Sequence, residues 1–92
     1  MITYQQIRAA RAMVGLTQAE LAKLAGISTT GMNNIERGQA DAKGSTLRAI
    51  QSALEANGVE FIAEDGGGAG VRLRKSSGGS IPVEELNAAN DD

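Results

Sequence analysis

A chain of 92 residues with one Tyr, one Phe, no Trp and no Cys makes one small domain with an aliphatic core. The lack of Cys excludes disulfides and thiolate metal sites and suits a reducing compartment; the lack of His removes the commonest general base and metal ligand. The net charge of −2 hides a split: residues 1–57 carry six Lys/Arg against four Asp/Glu, residues 58–92 three against seven, so a polyanion would meet the first part.

Four helical patterns come first. Thr3 opens a T-x-x-Q capping box, and Ile7, Ala10 and then Met13 or Val14 recur at helical spacing up to Gly15. Thr17 opens T-x-x-E with Glu20, and Leu21, Leu24 and Ala25 lead to Gly26. Ser28 offers a third N-cap, with Met32 and Ile35 before Gly38. Ser45 is the fourth cap candidate, and Leu47, Ile50 and Leu54 line one face up to Gly58. The pattern then shifts to period two in VEFIA (Val59–Ala63) and GVRLR (Gly70–Arg74), on either side of the glycine-rich EDGGGA. This predicts a β-hairpin or a pair of short strands. Two strands alone are marginal in water, so they must pack on the helices or pair with another chain. From Lys75 the sequence is polar and acidic, which predicts a disordered tail in which PVEELNAAN has the makings of an amphipathic turn or two. The expected division is a mainly α, compact four-helix domain at 1–57, a two-stranded β element at 58–75 and a flexible acidic tail at 76–92.

The stretch LTQAELAKLAGISTTGMNNIERG (Leu16–Gly38) carries the functional signal. Two short helices crossing steeply need a small residue at their close approach, and Ala22 supplies it. The tight turn between them needs a residue comfortable at positive φ, and Gly26 supplies that. The pattern is a helix-turn-helix. Through TQAELAKLAGIS and IERG, over roughly Ile2 to Glu55, the chain resembles the lambda-repressor and Cro-like (xenobiotic-response-element type) helix-turn-helix regulators of bacteria and phages.

The resemblance implies that the second helix of the motif lies in the major groove of double-stranded DNA. Ser28, Thr29, Thr30 and Asn34 would then face the bases, with Asn33 also in the DNA-binding set. Gln18 would hold a phosphate at the start of its helix. Arg37, Gln39 and Lys43 would follow the DNA backbone, and Arg11 would pair with Glu36 as a structural brace. Taken singly, polar residues such as Thr29 are as well explained by plain solvation. Gly31, inside the second helix, costs about 1 kcal/mol relative to Ala and leaves room for close backbone approach. The reading face has no Arg or Lys before Arg37, which predicts modest affinity per subunit and favours a homodimer. Val59, Phe61, Val71 and Leu73 give the strands one apolar face for dimerisation; the alternative is that the hairpin covers its own domain's core.

No catalytic or cofactor-binding constellation is expected. DGGGAG contains no G-x-x-x-x-G-K-[ST], and G-x-G-x-x-G fails at Val71 and Leu73. The paired carboxylates Glu84–Glu85 and Asp91–Asp92 lie in the tail without a pocket to shift them. The opening MITYQQIRAAR lacks a leader's apolar stretch, and no apolar run is long enough for a membrane. These features predict a cytoplasmic DNA-binding regulator, most simply a repressor acting by occlusion of a promoter. The rival reading is an antitoxin or adaptor that binds a protein partner through the strands or tail and binds DNA for autoregulation. A third keeps the fold as a protein-interaction module alone.

Overall fold

The computed structural model describes residues 1–74; Lys75 and the expected tail at 76–92 lie outside the described residues. Helices α1 (Tyr4–Val14), α2 (Gln18–Ala25), α3 (Thr29–Glu36) and α4 (Gly44–Ala56) are followed by strands β1 (Val59–Ile62) and β2 (Gly70–Leu73). The architecture is the mainly α, four-helix arrangement with a two-stranded antiparallel sheet.

Local chemistry accounts for most of these boundaries. At α1 and α2 both capping boxes close: Thr3 Oγ1 accepts from the Gln6 amide while Gln6 reaches back to Thr3, and Thr17 and Glu20 do the same. Each satisfies two backbone donors that a helix start leaves without partners. Ser28 Oγ accepts from the Gly31 amide at 2.9 Å and starts α3. That helix ends in a Schellman arrangement, in which Gly38 N–H donates to Ile35 O and Gln39 N–H to Asn34 O. Gly38 sits at φ +72, and a Cβ there would lie 3.0 Å from the Tyr4 ring; glycine meets both demands. Helix α4 departs from expectation: it begins at Gly44 after Lys43, without a side-chain cap, so Ser45 is inside the helix and not its cap. The Lys43 carbonyl instead accepts the first intrahelical bond, from Leu47.

The core is aliphatic. Ile7, Leu21, Met32, Ile50, Leu54 and Val59 are wholly buried, each contributing about 1.5–3 kcal/mol relative to exposure. Ile2, Ala10, Ala22 and Ile35 complete the cluster. Helix α2 packs on both α3 and α4, while α1 packs on α3, α4 and the strands. Ala22, buried on α2, is the small residue in the helix that has two neighbours to approach.

The hairpin docks on this body. Its register pairs Val59 with Leu73 and Phe61 with Val71, so these four side chains share one face. Val59 is fully buried, Phe61 and Val71 pack half-buried against the core, and Leu73 is 54% exposed. Val59, expected at a contact between chains, therefore lies inside its own chain, where the strand leaving α4 inserts it. Buried Gln6 ties the far end of the hairpin down: its Nε2 donates to Ile62 O at 3.1 Å and to Gly70 O at 2.9 Å. On the opposite, exposed face Arg72 donates twice to Glu60, at 3.1 Å each.

Candidate nucleic-acid interface

The turn between α2 and α3 fixes how α3 is presented. Gly26 adopts φ 76, ψ 28, left-handed backbone that suits glycine. Ile27 N–H returns to Ala22 O at 2.9 Å and Ile27 packs half-buried against the core. Ser28 caps α3 immediately afterwards. Between turn and cap there is no slack, and Ser28, Thr29 and Thr30 are left exposed at the start of α3.

At the other end of α3 lies a buried polar network. Glu36, 0% exposed, receives Arg11 Nε at 2.9 Å, Arg11 Nη2 at 3.1 Å and Gln18 Nε2 at 3.0 Å. Arg11 Nη1 donates in addition to Leu16 O at 3.0 Å. A buried carboxylate is tolerable only when paired and fully hydrogen-bonded, and three donors meet that condition. The brace links α1, the start of α2 and the end of α3 through side chains alone.

The expected DNA-binding residues divide into two groups around α3. Gln18 and Asn33 stand on one side, half-buried and bonded to each other, Asn33 Nδ2 donating to Gln18 Oε1 at 3.2 Å. On the other side Asn34 and Lys43 line an open groove of about 340 Å³ together with Gly31 and Asp41. Arg37 and Gln39 are exposed where α3 ends. Gln18, expected to hold a phosphate, has its amide engaged within the chain, donating to Glu36 and accepting from Asn33. Asp41 puts an acidic residue into the same groove as Lys43. Gly31 proves to be the third residue of α3, with its N–H on the Ser28 hydroxyl and a Cβ position 3.1 Å from that oxygen. It stands in the first turn and at the groove, not in the helix interior where glycine costs most.

Among the described residues there is no group of three or more His, Cys, Asp or Glu placed to hold a metal ion, and no helix is long and apolar enough to cross a membrane.

A family model described as helix-turn-helix matches residues 7–61, which takes in most of α1, all of α2, α3 and α4, and most of β1. No curated protein matches the chain. Among solved structures it is similar to the DNA-binding domain of the P22 C2 repressor, determined by nuclear magnetic resonance. The two are 31% identical with a TM-score of 0.56, over 60% of this chain and 72% of that one. Family match, turn geometry and buried brace agree, and the chain belongs to the lambda-repressor/Cro-like helix-turn-helix family of DNA-binding transcription regulators.

Proposed function

We propose that this chain is a sequence-specific DNA-binding repressor that inserts the helix at 28–37 into the major groove as a homodimer. The observation that carries this reading is the rigid presentation of the α3 N-terminus. An αL turn and a serine cap fix the start of α3, the Arg11–Glu36 pair anchors its end, and Thr29 and Thr30 stand exposed with hydroxyls that make no hydrogen bond within the described residues. Hydroxyls and amides of this length reach base edges, and the Thr methyl can touch thymine. Arg37 and Lys43 supply the nearby positive charge, Gln39 adds a backbone contact, and Asn34 faces the groove floor. The half-buried Phe61 and Val71 and the exposed Leu73 support pairing of two copies through the hairpin's outer margin. The same exposed Leu73 also suits a protein partner, the adaptor reading.

The test is selection from random-sequence duplexes by the full chain at low and physiological salt. The expected product is an inverted repeat whose half-sites lie about one helical turn apart. With Arg37 and Lys43 from each of two subunits, roughly four phosphates are neutralised, so log affinity against log salt should slope near −3.6. Failure to enrich any sequence at either salt would remove DNA reading and leave partner binding as the function.

A further inference from the structure

The network behind α3 does more than hold the helix, because its hydrogen-bond directions are not interchangeable. Arg11 has only donors, and an ionised Glu36 has only acceptors. Gln18 must therefore turn its N–H toward Glu36, as it does at 3.0 Å, and its oxygen Oε1 is left facing α3. An oxygen there accepts and cannot donate. Asn33 must then turn its own N–H toward Gln18, at 3.2 Å. The usual ambiguity of amide orientation is removed twice in succession by a charge buried at the far end of the chain of bonds.

What remains of Asn33 is its oxygen Oδ1 and its second N–H, neither of which makes a hydrogen bond within the described residues. Asn33 stands four residues after Thr29, three after Thr30 and four before Arg37, so it shares their face of α3. An acceptor beside a donor complements the major-groove edge of adenine, which offers the N6 amino group and the N7 acceptor. The reversed amide would put Nδ2 outward and favour the acceptors of guanine.

We propose that Asn33 is a specificity-determining residue that reads adenine, and that Gln18 is a positioning residue that sets the Asn33 amide from the buried Arg11–Glu36 pair. This rests on the DNA-reading function above. It also moves Gln18 from a phosphate contact to a relay within the protein.

The experiment compares wild type, Gln18→Met and Asn33→Ala in the same random-duplex selection, with circular dichroism melts showing that each variant folds. Wild type should prefer adenine about ten-fold at one position of each half-site. In Gln18→Met the Asn33 amide turns freely, and that one preference should fall to about three-fold or less, with guanine rising, while the other positions keep theirs. Asn33→Ala should flatten the same position. Methionine that weakens every sequence alike and leaves the adenine preference intact would overturn the relay and return Gln18 to the phosphate. If wild type enriches nothing, the DNA-reading function falls, and the assignment of Asn33 to adenine falls with it. Nuclear magnetic resonance of the free protein gives a reading independent of DNA. The Asn33 side-chain amide protons should be shifted from free-asparagine positions and move back toward them in Gln18→Met; free-asparagine positions in wild type would overturn the proposal.

Discussion

Helix α1 holds two different parts of the molecule with two polar side chains, and the contrast between them is instructive. Near its start Gln6, 6% exposed, is neutral and grips the hairpin by two backbone carbonyls. Near its end Arg11, its side chain 24% exposed, is charged and grips α3 by one carboxylate. The first tie asks nothing of the identities of residues 62 and 70, since any residue brings a carbonyl. The second works only with Glu36. A backbone tie tolerates drift in the element it holds, whereas this ion pair tolerates none, because Glu36 left alone is a charge without water. The demanding tie is on the side of the proposed DNA-reading helix, the permissive one on the side of the hairpin.

Arg11→Met should break the contrast most sharply. It strands the Glu36 carboxylate with Gln18 alone and should cost about 3 kcal/mol, much of the stability of so small a domain. Adding Glu36→Leu should restore more than half of that loss. A urea midpoint for the single variant within experimental error of wild type would show that the pair is not a demanding tie at all. Gln6→Ala comes next, removing part of the α1 capping box and both carbonyl bonds, for about 2 kcal/mol. Its signature is regional: hydrogen exchange should quicken in β1 and β2 while amides of α3 keep their protection. Uniform quickening would mean that the hairpin and the helices open as one unit.

The smallest effect concerns the exposed pair on the hairpin's outer face. The Arg72 hydrogen bonds, helped by its charge, hold the Glu60 carboxyl below its ordinary 4.5, and the carboxylate in turn raises Arg72. A lowered folded value means stability that is present above the ordinary carboxyl range and is lost as pH falls through the folded value. Glu60→Gln should therefore melt slightly below wild type at neutral pH and converge with it in acid. Both groups are solvated, so the gap should also shrink with salt. A gap that widens on acidification would reverse the assigned sign.

Much of the fold was legible because its boundaries are local. Thr3, Thr17 and Ser28 announce three helix starts and Gly15, Gly26 and Gly38 three ends within a few residues of sequence. The start of α4 lies two residues before the cap expected at Ser45, because Lys43 gives it no side-chain cap to read. The hairpin was legible from period two, but where it docks was not: the same apolar face suits a neighbouring chain or the chain's own core, and burial of Val59 is decided by tertiary packing. The Arg11–Glu36 brace, spanning 25 residues, came from family resemblance and not from any pattern. Gln6, Gln18 and Asn33 illustrate the limit. Glutamine and asparagine fit surfaces, caps and cores alike, and apart from the Thr3–Gln6 capping box their partners lie 15 to 64 residues away, beyond the reach of periodicity.

The carbonyl tie also bears on the order in which the molecule assembles. Gln6 finds its acceptors 56 and 64 residues further on, whereas the capping boxes and turn bonds of the helices close over three to five. Long loops must be closed before the contacts that reward them exist, which makes such pairings late. A chain emerging from the ribosome thus leaves the Gln6 amide donors to water until Ile62 and then Gly70 have been made. The helix-turn-helix can take shape in that interval, and the seal over its flank arrives last.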